Sequence, residues 1–368
     1  MIHDPRNNNN NNNNDMSNTD KFSDPGDLFD AVLHRQWDMA IERVLNHPEE
    51  ASQWKMISLR GCPVQLLPLH LAVQIRPPAR LIRALLQADV DSAMRPDFHN
   101  RLPIHWSVDS GASDPEIVNV LLEAWPGSAK RIESQFGFTP LHIHCYQCNE
   151  TRDGPSSEKD QLSIASMLIK ANPEALSTPD NGGWLPIHLY ARTGRSPKML
   201  HLLFRAYPRG ISQCDPKSRQ PLHLAMMNGE GGEDTALPFI RHLIDLYPAA
   251  LMIKEKRHAF LPLHVACSIP QPDSTIALLL ERYPDAIKQV DARSSLPLHL
   301  AIRAKAPSCT IKRILQAYAS GAMSLDSDGM IPLHFACKTV HSKATIKMLI
   351  DVYPGGVFVK ENKYGYTR

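Results

Sequence analysis

The sequence predicts an all-α solenoid of helix–turn–helix units joined by short β-turn fingers. Three observations predict it. The tripeptide Pro-Leu/Ile-His recurs eight times, beginning at Pro68, Pro103, Pro140, Pro186, Pro221, Pro262, Pro297 and Pro332, most often about 35 residues apart. Aromatic-Pro pairs recur between those starts, at Trp125-Pro126, Tyr207-Pro208, Tyr247-Pro248, Tyr283-Pro284 and Tyr353-Pro354. Turn residues keep a fixed phase: Asp97, Asp180, Asp215, Asp291 and Asp326 stand six before the next proline, and Gly137, Gly183 and Gly329 stand three before it. Repetition at this period marks supersecondary units that bury their apolar faces by stacking.

Within a unit, Pro opens the first helix, because its missing N–H needs no partner and its φ is already helical. Pro297-Leu298-His299-Leu300-Ala301-Ile302 is an example. A polar or proline-containing connection follows, as at Ser268 to Asp273. The second helix carries apolar residues at helical spacing, as at Ile276, Leu279 and Leu280. It stops near the aromatic-Pro pair, since proline cannot continue a helix. The Asp and Gly positions then suit a tight turn.

The ends differ from the middle. Residues 1–26 contain eight consecutive Asn (Asn7 to Asn14) and too little apolar area to order themselves, so they are expected to be a disordered tail. Residues 27–60 read as a degenerate N-terminal capping unit, which solenoids require. Residues 362–368 fall in register for an incomplete ninth unit, and the expectation is a fragment of a longer array.

The pattern Asp-x-x-Gly-x-Thr-Pro-Leu-His-x-Ala is matched closely by Asp326 to Ala336, and the chain from 27 to 368 resembles the ankyrin repeat family. That resemblance implies helix pairs stacked into a curved solenoid with fingers along one edge. It also implies non-catalytic protein binding, as an adaptor or scaffold, through the concave helix face and finger tips. The alternative is a targeting arm of a larger enzyme or channel. One departure is systematic: the family's Thr before Pro occurs only at Thr139. Elsewhere an aliphatic residue (Gln220 excepted) takes that place and is expected to pack between repeats.

Composition narrows the function classes. Lys plus Arg number 40 and Asp plus Glu 38, a formal net charge of +2, which argues against a nucleic-acid partner. The longest apolar runs fall far short of the ~20 residues of a membrane helix, and the polar N-terminus is no secretory signal. Seven scattered cysteines suggest a reduced intracellular compartment rather than a disulfide framework. The basic run Lys254 to His258 reads as a solvated finger, so a cytoplasmic place is favoured over a nuclear one. A monomer is expected.

The repeated histidines His70, His105, His142, His188, His223, His264, His299 and His334 recur once per unit. Packed helices lie ~8–10 Å apart, so these rings do not share one metal, and each is expected to bond the adjacent turn. His142-Ile143-His144-Cys145-Tyr146-Gln147-Cys148 lacks the second Cys-x-x-Cys of a zinc site and reads as packing. Gly229 to Gly232 lacks the Lys-Ser/Thr of a phosphate loop. No catalytic, cofactor or metal motif is found, and none of these is expected. The polar insert at 149–160 reads as loop growth, or as a regulatory loop using Ser156 or Ser157.

Recognition is therefore expected at exposed positions of a regular scaffold. Six residues after each proline stand Gln74, Asp109, Tyr146, Arg192, Met227, Ser268, Arg303 and Lys338. Near the finger tips stand Lys217, Arg219, Arg257 and Arg293, with Phe98, His99 and His258. This surface leans basic from about 192 to 303, which suits an acidic or phosphorylated protein segment.

Overall fold

Proline sets where the inner helix of each pair begins. The computed structural model describes residues 27–59, 62–109, 113–147, 157–193, 196–227, 233–269, 271–339 and 342–360. The tail at 1–26, Cys148, the insert at 149–156, Arg195, Gly229 to Gly232 and the ninth unit at 362–368 lie outside the described residues. The chain opens with α1 (Leu28–Leu33) and α2 (Trp37–Asn46), then an antiparallel hairpin of β1 (Lys55–Leu59) and β2 (Cys62–Leu66). Eight helix pairs follow: α3/α4 (Pro68–Gln74, Ala79–Ala88), α5/α6 (Pro103–Asp109, Pro115–Ala124), α7/α8 (Pro140–Gln147, Glu158–Ala171), α9/α10 (Pro186–Thr193, Pro197–Ala206), α11/α12 (Pro221–Met226, Glu233–Leu246), α13/α14 (Pro262–Ser268, Asp273–Arg282), α15/α16 (Pro297–Arg303, Ser308–Ala317) and α17/α18 (Pro332–Lys338, Lys343–Val352). Inner helices pack on inner helices and outer on outer, so one apolar core runs the length of the array. No helix among the described residues is long and apolar enough to cross a membrane.

Two local features depart from the sequence reading. The first finger is a full hairpin rather than a short turn; Ile57 and Val64 on one of its faces pack against the core. The insert expected as loop through residue 160 ends earlier. Ser157 caps α8, its hydroxyl accepting from the Asp160 N–H while the Asp160 carboxylate accepts from the Ser157 N–H. Such a capping box satisfies two end donors at once, so Glu158, Lys159 and Asp160 form the first turn of a helix.

Each outer helix ends at an extended residue, and a short 3₁₀ turn follows. Tyr207 (φ −145°, ψ 81°) precedes proline, but Tyr318 (φ −152°, ψ 82°) takes the same shape before Ala319. Proline is therefore not the sole cause of the stop. A buried small residue in the turn recurs instead, as Ser92, Ser128, Ala175, Ala250 and Ala286. At Gly210 a Cβ would lie 2.9 Å from the Tyr207 ring.

The repeat histidines fasten the inner helices. In all eight, Nδ1 accepts the backbone N–H of the residue before the proline, at 3.0–3.4 Å. In six of them Nε2 lies 2.9–3.3 Å from a backbone carbonyl at the next finger. An Nδ1 that accepts leaves the proton on Nε2, so the neutral Nε2–H tautomer donates to that carbonyl. The imidazole replaces the threonine cap, freeing the N-cap side chain for packing. Leu67, Leu102, Leu185, Leu261, Leu296 and Ile331 are buried there. Where a small residue is replaced by a large one, polar tips find partners: His144 Nε2 meets the Gln161 carbonyl at 3.0 Å, and Tyr190 Oη donates to the Ser196 carbonyl at 3.1 Å.

Burial holds seven of the repeat imidazoles, and His144, neutral. It pushes His105 down to about 3 and His70, His142, His144 and His264 to about 4, and lowers His188, His223 and His299 as well. In the unfolded chain the same groups titrate near 6.5. Between those limits the unfolded state binds more protons, so their stabilisation is complete above about pH 6.5 and is lost as pH falls toward 4. Urea unfolding between pH 7.5 and 4.5 is expected to show a flat upper limb, then a steep loss below 6.5 with uptake of several protons. A pH-independent midpoint over that window would contradict it.

Candidate functional site

The fingers are built around an inward acid. Asp97, Asp180, Asp215, Asp291 and Asp326 each accept, through one carboxylate oxygen, two backbone N–H groups at 2.7–3.0 Å, two and four residues on. Two fingers are one residue longer, and there the acid is one methylene longer. Glu133 accepts from Gln135, Phe136 and Phe138 at 2.6–3.0 Å, and Glu255 from Arg257, His258 and Phe260. The sequence reading missed both; the signal was an acid seven residues before the proline. The residue three before the proline is left-handed in seven fingers, as Asn100, Gly137, Gly183, Ser218, Ala259, Ser294 and Gly329. Glycine relieves the strain that position imposes.

Neighbouring tips are hydrogen-bonded to each other. Ser134 N donates to the His99 carbonyl, Asn181 N to Phe136, Lys256 N to Lys217, Ala292 N to His258 and Ser327 N to Arg293, at 2.8–3.0 Å. Among the described residues one rung is missing, because Pro216 has no N–H. Its ring sits over Gly183, where a Cβ would lie 2.5 Å from Pro216 Cγ.

The residue at the finger base touches the residue eight positions on, which is the sixth after the proline. Arg101 Nη2 pairs with Asp109 Oδ2 at 2.5 Å, and Gln147 also donates to Asp109. Phe138 lies 6.1 Å from the Tyr146 ring, and Arg192 stands 5.7 Å from the Trp184 ring. Arg219 Nη1 lies 3.5 Å from Met227 Sδ. These four expected recognition positions are thus braced by their own fingers. Gln74 is half-buried, and Ser268 Oγ is turned back onto the Val265 carbonyl. Arg303 and Lys338 are exposed, with Arg303 stacked 4.8 Å over Phe335.

Arg219 does not sit at an open tip. It is 9% exposed, bound through Nε and Nη2 to Asp215 and stacked 5.2 Å over Trp184 of the preceding unit. Its position four after Asp215 points the side chain back along the finger, not outward.

Three consecutive tips remain basic and outward. Lys256, Arg257 and Arg293 are exposed and Lys217 is half-buried. Their fingers' acids, Asp215, Glu255 and Asp291, are buried and committed to backbone N–H groups. Among the described residues no ion pair engages those four cations. The tips before them are uncharged (Phe98, Phe136, Asn181), and the tip after carries Asp328. No group of three or more His, Cys, Asp or Glu side chains able to hold a metal occurs among the described residues.

No protein-family model matches the chain. It is similar to an ankyrin repeat protein, nuc-2 of Neurospora crassa, at 28% identity over 187 residues. The described residues form a repeated helical array consistent with ankyrin repeats. The match takes in 45% of this chain and 16% of the relative, so the chain spans a small part of that protein's length. Ankyrin repeats in general are protein-interaction modules; this array has inward acids, inner-helix ends braced by their own fingers, and exposed basic finger tips.

The braced and free cations of this array should separate in stability. Asp215 is fully buried and the Arg219 side chain nearly so, and stripping one partner from such a pair costs about 3–5 kcal/mol. Arg219→Ala is expected to lower unfolding free energy on that scale, whereas Arg257→Ala and Arg293→Ala stay within about 0.5 kcal/mol of the parent. Equal effects in a urea titration would contradict this placement.

Proposed function

We propose that the chain is a non-catalytic protein-binding module, an adaptor or scaffold, that holds an acidic or phosphorylated segment of a partner. The observation that carries the reading is the run of unpaired cations on three consecutive finger tips. Lys217, Lys256, Arg257 and Arg293 lie on neighbouring fingers whose backbones are joined where the two meet. Their desolvation is modest, and their own acids are turned inward, so an incoming anionic chain meets no competing carboxylate at those tips. Guanidinium forks suit carboxylate and phosphate by paired hydrogen bonds. Arg303 and the other positions on the concave side extend the same surface.

A second reading is that the array is the targeting arm of a larger protein. The small share of the relative that is matched favours it, and it leaves the role of the finger tips unchanged.

The test uses fluorescent acidic and phosphoserine peptides against the parent chain and a Lys256→Glu, Arg257→Glu, Arg293→Glu variant. Binding is expected to weaken at least tenfold in the variant and to fall with added salt. Unchanged affinity removes the reading. Stronger binding of the parent to a single-stranded oligonucleotide than to either peptide also removes it.

A further inference from the structure

Five boundaries between successive outer helices carry an ion pair. Asp38 pairs with Arg80 at 2.6 Å, Arg83 with Glu116 at 2.9 Å, Glu158 with Lys198 at 2.6 Å, Asp245 with Arg282 at 2.9 Å and Asp273 with Arg313 at 2.5 Å. Between α10 and α12 two imidazoles meet instead. The rings of His201 and His242 lie 5.7 Å apart, centroid to centroid, inclined by 50°. This is the same unit boundary at which Pro216 removes the rung between finger tips. The boundary thus lacks the finger-tip link and carries a histidine pair on its outer side.

His201 is exposed and His242 half-buried. The Nε2 atom of His242 is closed off from solvent and has no hydrogen-bond partner among the described residues. A buried ring nitrogen without a partner is costly, and natural structures seldom leave one. Asp245 lies one turn along α12, but its Oδ1 is held by Arg282.

We propose that His201 and His242 form a binding site for a divalent transition metal of the zinc type, each giving one imidazole nitrogen and water completing the shell. Two imidazoles on one tetrahedral ion, with metal–nitrogen bonds of ~2.0–2.1 Å, place their centroids about 5.2 Å apart. The observed separation is within about half an ångström of that, which a small rotation of the exposed His201 ring supplies. Neutral imidazole suits zinc, copper and nickel. Burial, and next the charge of His201, lower the basicity of His242, so the ring is unprotonated at neutral pH. The bound ion joins α10 to α12 where five other boundaries use a carboxylate and a base. With two protein ligands the ion is exchangeable, so its occupancy follows the free metal concentration.

The experiment is a zinc titration of the full chain by calorimetry at pH 7.5, with thermal melting in parallel, on the parent, His201→Ala and His242→Gln. The parent is expected to bind one equivalent that both variants lose, or bind at least tenfold more weakly, and to melt higher when loaded. His201 is on the surface, so His201→Ala should melt like the metal-free parent, which separates loss of ligand from loss of fold. Binding that survives both substitutions, or a parent that takes up no stoichiometric zinc, overturns the proposal.

Discussion

The array depends on one repeated hydrogen bond, from the backbone N–H before each helix-opening proline to Nδ1 of the histidine three residues on. It satisfies a donor at the helix start that would otherwise be buried unpaired. It fixes the tautomer, and the fixed tautomer turns Nε2–H toward the next finger. A single side chain therefore ends one finger, starts one helix and, in six units, ties it to the following repeat. With both nitrogens so engaged, those rings have no lone pair for a metal and no proton to exchange with a substrate.

That division of labour shapes the surface. The acids that charge a loop in most proteins are spent inside these fingers, on backbone N–H groups. What remains outside is set by the tip residues alone, and tip residues bear little on stability. Neutral, basic and acidic tips can then follow one another along one edge without disturbing the core. The inner-helix ends are less free, because in four units the finger base reaches the sixth residue after the proline through a side-chain contact. The positions least tied to the fold are therefore the tips first and the inner-helix ends second.

Much of this was legible in the sequence. Proline, histidine and the aromatic residues occur at one phase because each does one backbone task, and a task tied to the backbone leaves a fixed spacing. The histidine contact with the adjacent turn was readable for that reason. Glu133 and Glu255 were not, since an extra residue and an extra methylene cancel in space while shifting the register in sequence. Arg219 looked like an open cation because nothing in its spacing shows that Trp184 lies beside it. The His201–His242 pair was invisible for the same reason: its members belong to different units, outside the repeated motif. The first finger's hairpin carries no repeat signal at all.

The most direct test of this account is the protonation state of the repeat histidines, read from the ¹⁵N shifts of their ring nitrogens in the folded chain as pH is lowered. The account predicts the Nε2–H tautomer at neutral pH, kept nearly to pH 4 at His70, His105, His142 and His264. Rings in the Nδ1–H form, or titration of any of these four near pH 6.5 while the chain stays folded, would contradict it.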